Sequence, residues 1–267
     1  MGDPNCLTPA EAEVVNKIWD GPVTSASHGG WHHGWHHGSG RAWYGLERGA
    51  FLGFLAGATP FSIAVDHYRY WIKQDPTFDW KTVTEDSFFH DFVESIKKFN
   101  RVIGTDDGLE RFRMAGGKMI VYHGLFDQLT MPRGTYNYYN SVKGSIHHKQ
   151  KFYRFFPYPN AGHCSGAGIN GEQLFTALVE WVENGVEPDS VVAQVSPTRT
   201  RKICKYPDVQ VYIGGDINDH NNFTCEVRHH DDRELLDQDE LDKRFEPARV
   251  TPHHHWWGHP WWGDHDD

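Results

Sequence analysis

The stretch from Gly117 to Asn184 changes its hydrophobic period three times, and this alternation constrains the fold more than any other feature of the chain. GKMIVYHG, residues 117–124, is a short apolar run that stops at glycine, as a buried parallel strand does. Pro132 to Val142 has a helical pattern, Phe152 to Phe156 (FYRFF) is a second strand-like run, and Gln173 to Asn184 is a second helix. Strand, helix, strand, helix predicts a parallel sheet of the α/β class. Ligands of open parallel sheets sit beyond the carboxyl ends of the strands, so chemistry is expected in the residues that follow each strand.

The first strand runs into His123-Gly124-Leu125-Phe126-Asp127-Gln128, and the second into Pro159-Asn160-Ala161-Gly162-His163-Cys164. An Asp after one strand and a His after the next is the order in which α/β-hydrolases supply the orienting acid and the general base. The carboxylate fixes the imidazole tautomer and stabilises the imidazolium, while the imidazole takes the nucleophile's proton. An ordinary loop carboxylate and a hydrogen-bonded surface histidine are the plainer alternative for Asp127 and His163.

Elsewhere TPAEAEVVNKIW, from Thr8 to Trp19, opens on a Thr cap and carries an apolar face at helical spacing. The low-complexity Gly, His and Trp run of Ala26 to Gly40 has neither period and reads as an exposed insertion or flexible loop. A matching bias returns at His253 to Trp257 and at Trp261-Trp262. From Trp43 to Gly104 the chain is aromatic-rich, with helices expected at Ile63–Lys73 and Glu85–Phe99 before a Gly-Thr-Asp-Asp-Gly turn.

With 267 residues and 38% hydrophobic side chains, the chain can bury one sizeable core. A net charge of −10 and the absence of any Lys/Arg run argue against a nucleic-acid partner. No stretch approaches the roughly 18 apolar residues of a membrane span, so no membrane partner is expected. Met1-Gly2-Asp3-Pro4 does not open a signal sequence, so either the protein is not exported or its true N-terminus lies further upstream. Cys6, Cys164, Cys204 and Cys225 show no zinc-site spacing. They are four free thiols, or Cys204 and Cys225 pair to restrain a Gly- and Asn-rich, loop-like segment.

Six blocks resemble the tannase and feruloyl esterase family. They are CLTPAEAEVVNKIWDGP, LAGATPFSIAVDHYRYWIKQDPTFDW, GGKMIVYHGLFDQL, FFPYPNAGHC, LFTALVEWVENGVEPDSVVA and CKYPDVQVYIGGDINDHNNFTC. In order, they cover most of Cys6 to Cys225. The resemblance implies an α/β-hydrolase fold, represented by the C-terminal part of its parallel sheet together with part of an inserted lid domain. Residues 1–110 would be the partial lid with its His/Gly/Trp-rich insertion, 111–230 the C-terminal part of the hydrolase core, and 231–267 a disordered His/Trp-rich tail. It further implies a secreted carboxylic ester hydrolase acting on a small aromatic-acid ester, galloyl or feruloyl.

Carried over position by position, the resemblance makes Asp127 the triad acid and His163 the general base, and implies that Cys204 pairs with Cys225. It also pairs Cys164 with a cysteine preceding the nucleophilic serine, in a Gly-Cys-Ser-x-Gly-Gly elbow. Neither that elbow nor any GxSxG occurs here. The elbow and the family's calcium-binding, Asp-rich loop are expected upstream of Cys6, which leaves Cys6 and Cys164 without partners. No cofactor is expected for catalysis, and no metal site within the chain.

Ser165 and Ser39 do not qualify as substitute nucleophiles. Ser165 lies two residues from His163 in the wrong local geometry, and Ser39 lies in the Gly/His run without a flanking strand or helix. Asp216-Ile217-Asn218-Asp219 resembles the start of a calcium loop but lacks its glycine and closing glutamate, so a plain turn is expected. Asn222-Phe223-Thr224 is a glycosylation sequon. The His/Trp runs could chelate zinc, nickel or copper loosely.

Three functional classes follow: an esterase whose nucleophile is not in this chain, a non-catalytic ligand-binding remnant of an esterase, and a His-rich metal-binding protein on the same scaffold. The first is adopted, with the chain alone expected to be inactive for want of the serine. A hydrolase sheet without its central strands would leave an open edge and a bare apolar face, inviting association with a partner chain and poor solubility.

Overall fold

Helix α1 (Pro9–Asp20) starts where its sequence can satisfy its first free N–H groups. Thr8 Oγ1 accepts from the Glu11 N–H at 3.3 Å, and the Glu11 carboxylate accepts from the Thr8 N–H at 2.8 Å, a reciprocal capping box. The computed structural model describes residues 6–22, 43–55, 59–103, 108–164, 168 and 170–227. The Ala26–Gly40 run, the expected tail 231–267, Ser39 and Ser165 lie outside them.

Both helices expected in the aromatic-rich region form. Helix α2 (Ser62–Asp66) continues as a π-helical turn over His67–Ile72, and α3 spans Glu85–Ile103. Lys73 Nζ reaches Asp91 on α3 at 2.6 Å, Tyr68 stacks on Phe78, and Trp71 meets Phe99 edge-on. A short helix α4 (Glu110–Met114) then leads into the sheet.

Strands β1 (Met119–Gly124) and β2 (Tyr153–Tyr158) pair in parallel, Met119 opposite Tyr153 and Gly124 opposite Tyr158. Between them run α5 (Pro132–Ser141) and the short α6 (Ile146–Gln150), and after β2 comes α7 (Gly171–Asn184). Side chains alternate across a strand, so β2 serves two cores. Tyr153 and Phe155 pack with Tyr136, Tyr139 and Val142 of the α5 side, while Phe156 and Tyr158 pack with Leu174 of α7 and with Val191, Ala193 and Ile203. All four β2 aromatics are at most 1% exposed, each contributing about 2–3 kcal/mol of burial. Helix α7 is capped by Asn170, whose side chain accepts from the Glu172 and Gln173 N–H groups, and it ends at Gly185 in the left-handed region.

The chain after α7 departs from the sequence reading. The segment holding Cys204 and Cys225, expected to be loop-like, folds as strands: β3 (Ser190–Ser196) with β4 (Arg199–Cys204), and β5 (Asp208–Tyr212) with β6 (Phe223–Val227), both pairs antiparallel. The Gly and Asn residues that suggested a loop sit in the turn between β5 and β6 rather than throughout the segment. The Cys204–Cys225 disulfide joins β4 to β6 with a Cα separation of 5.6 Å. Asp216 and Asp219 use their carboxylates within a plain turn, accepting from the Asn218 and Asn221 N–H groups at 2.9 Å.

Arg154 on β2 is a buried cation held from three sides. Nη1 meets Asp189 at 2.6 Å, Nη2 meets Glu187, Nε donates to the Gln150 carbonyl at 3.0 Å, and the guanidinium lies 5.1 Å from the Trp181 ring centre. Among the described residues β1 pairs with β2 alone, its Tyr122 is 45% exposed, and Phe175 and Val182 on one face of α7 are 66% and 60% exposed.

Candidate active site

Two loops leave the carboxyl ends of β1 and β2 side by side, and main-chain bonds lock them together. The Leu125 N–H donates to the Tyr158 carbonyl at 2.9 Å and the Phe126 N–H to the Ala161 carbonyl at 2.8 Å. Gly124 permits this approach, because a Cβ there would lie 2.5 Å from the Ala161 oxygen and 2.8 Å from that of Gly162. The His163 N–H then donates to Gln128 Oε1 at 3.1 Å.

The stitching brings the two sequence-predicted residues together. Nδ1 of His163 lies 3.0 Å from Oδ2 and 3.2 Å from Oδ1 of Asp127. Asp127 is 5% exposed, whereas the His163 side chain is 35% exposed. Burial works against ionisation of Asp127, yet its carboxyl is held below the usual Asp range by the Thr130 and Leu129 N–H groups, by His163 and by the Thr130 hydroxyl. The backbone bonds are both 2.8 Å and the Thr130 hydroxyl bond is 2.9 Å. This arrangement can hold a carboxylate ionised against the Nδ1 side of a partly exposed imidazole, directing Nε2 away from the acid.

A third residue escaped the sequence reading. His123, on β1, places Nε2 3.4 Å from Asp127 Oδ2 and 3.0 Å from the Thr130 carbonyl, with Nδ1 2.7 Å from the Thr135 hydroxyl. The signal was its place, one residue before the strand-ending glycine and four before the Asp. Cys164 adopts a positive φ of 50°, and both Cys164 and Cys6 are exposed thiols. Among the described residues no group of three or more His, Cys, Asp or Glu is placed to hold a metal ion, and no helix is long and apolar enough to cross a membrane. The concavity lined by Arg113, Lys118, His148 and Lys151 lies at the amino ends of the strands, away from Asp127 and His163.

The chain is similar to known proteins in both sequence and fold. Residues 2–226 match the model of the family described as tannase and feruloyl esterase. A probable feruloyl esterase of Arthroderma benhamiae is 31% identical, over 82% of this chain and 43% of that protein. The mono(2-hydroxyethyl) terephthalate hydrolase of Piscinibacter sakaiensis is 30% identical, over 83% of this chain and 42% of that protein. The crystal structure of feruloyl esterase B from Aspergillus oryzae superposes with a TM-score of 0.68 at 27% identity, covering 83% of this chain and 47% of its own. The chain thus spans less than half the length of these relatives. Its parallel pair with flanking helices is of the α/β-hydrolase type, and the chain belongs to the tannase and feruloyl esterase family.

Proposed function

We propose that this chain supplies the acid and the base of a secreted carboxylic ester hydrolase that cleaves galloyl or feruloyl esters through a Ser-Asp-His triad. The observation that carries the reading is the 3.0 Å contact between His163 Nδ1 and a buried Asp127 carboxylate at the ends of consecutive parallel strands. In the reaction, Nε2 of His163 takes the proton of a serine hydroxyl as that oxygen adds to the ester carbonyl. It then returns the proton to the departing alcohol, leaving an acyl-serine. Water, deprotonated by the same nitrogen, frees the aromatic acid and restores the serine. Asp127 stays ionised throughout and steadies the imidazolium.

The serine and its Gly-Cys-Ser elbow belong to sequence outside this chain, as do the cysteine that pairs with Cys164 and the calcium-binding loop; Cys6 finds its partner there too. Residues 1–110 are the partial lid and 111–230 the core. The open edge of β1 and the exposed Phe175 and Val182 favour association with further hydrolase sheet. The chain by itself is inactive.

Sequencing the coding DNA upstream of Met1, with an assay of the purified chain on methyl ferulate and methyl gallate, tests this. The expected result is an in-frame Gly-Cys-Ser-x-Gly-Gly elbow and no turnover by the isolated chain. A stop codon with no elbow would overturn the esterase reading, and turnover abolished by His163→Ala would overturn the inactivity.

A further inference from the structure

We infer that His123 is a positioning residue that holds the Asp127 carboxylate square to His163, an inference that rests on the acid and base roles proposed above. The two oxygens of Asp127 are held differently. Oδ1 accepts the main-chain N–H groups of Leu129 and Thr130. Oδ2, the oxygen nearer to His163, takes only side-chain donors among the described residues: His163 itself, the Thr130 hydroxyl at 2.9 Å, and Nε2 of His123 at 3.4 Å. The oxygen that matters most for orienting the base is therefore the one that the backbone leaves unfixed.

His123 supplies what the backbone does not. Its Nε2 lies 3.0 Å from the Thr130 carbonyl, which can only accept, so Nε2 carries the hydrogen. In the neutral ring Nδ1 then accepts from the Thr135 hydroxyl at 2.7 Å, and Thr135 belongs to α5. One imidazole thus ties three things together: the 127–130 turn through the Thr130 carbonyl, helix α5 through Thr135, and Oδ2 by the electrostatic attraction of the same N–H. At 3.4 Å that last contact is too long for a strong hydrogen bond, so the larger effect is to fix Thr130, whose hydroxyl does reach Oδ2. The His123 side chain is 13% exposed, which leaves water little room to take over its bonds.

Ring-nitrogen NMR of the full chain, labelled at histidine and kept in mildly alkaline buffer, tests this without needing turnover. The wild type should show His123 as the Nε2–H tautomer and a low-field, exchange-protected Nδ1–H proton from His163 that disappears in Asp127→Asn. In His123→Leu, the His163 ring proton should exchange with solvent about ten-fold faster or broaden away, the loss expected when a charge-assisted bond is loosened. His123→Gln, whose amide nitrogen can replace Nε2 as a donor, should restore most of the protection. A wild type without the His163 signal would overturn the acid–base reading, and this inference with it. A signal present in the wild type but unchanged in a folded His123→Leu protein would overturn this inference alone. Should His123→Leu fail to fold, Thr135→Val takes its place, and an unchanged His163 proton there would likewise overturn the inference.

Discussion

Gly124 and Ala161 are packed so closely that a single methyl group at Gly124 would lie 2.5 Å from the Ala161 carbonyl oxygen. The clash is with main chain on both Ala161 and Gly162, so it cannot be relieved by a side-chain rotation. Gly124→Ala is expected to destabilise the protein by about 1–3 kcal/mol. The melting temperature should fall by about 2–4 °C for each kcal/mol. The same variant should weaken the His163 ring-proton signal, because the two loops that carry Asp127 and His163 are pushed apart.

Asp127 makes stability depend on pH in a defined direction. Its pKa is depressed in the folded protein, so its contribution is fully present above the unfolded value of about 3.9 and is lost as pH falls through the lower folded value. Urea unfolding of the wild type and Asp127→Asn should therefore show the wild type ahead at neutral pH, with the gap closing below about pH 4. A gap that widens on acidification would contradict the hydrogen-bonded carboxylate.

Arg154 separates packing from charge. Its acidic partners Glu187 and Asp189 have side chains 51% and 69% exposed, so losing the cation strands neither of them in the interior. Arg154→Met, which refills the space against Trp181, should cost less than about 1.5 kcal/mol, whereas Arg154→Ala should cost about 2–4 kcal/mol. Chemical denaturation of the two variants side by side checks the order.

Reduction of the Cys204–Cys225 bridge opens a loop of sequence separation 21. The chain-entropy model gives a loss of about 3 kcal/mol. Thermal unfolding with and without reductant should show it, and Cys204→Ala/Cys225→Ala should reproduce the reduced protein while becoming insensitive to reductant.

Much of this was legible in the sequence where one local signal dominates. The Thr cap at Thr8, the apolar run ending at Gly124 and the helical pattern of Gln173 to Asn184 each act within a few residues, and each element formed within a few residues of its expected bounds. Asp127 and His163 were legible because a parallel sheet dictates where its loops emerge. The hairpins around Cys204 were not, since short strands punctuated by Gly214-Gly215 and Asn222 look locally like loop and are settled by pairing across the sheet. His123 was missed for a similar reason. It sits on a strand, and only the fold turns its ring toward Thr130 and Thr135.

Asp127 and His163 stand 36 positions apart, and everything that brings them together lies within β1, α5, α6, β2 and the two loops beyond the strands. The pair is thus a property of one supersecondary unit and should behave as a single cooperative foldon. In native-state hydrogen exchange, the amides of Val121, Phe126 and Phe156 should open together and late, with the acid and base losing contact only when that unit unravels as a whole.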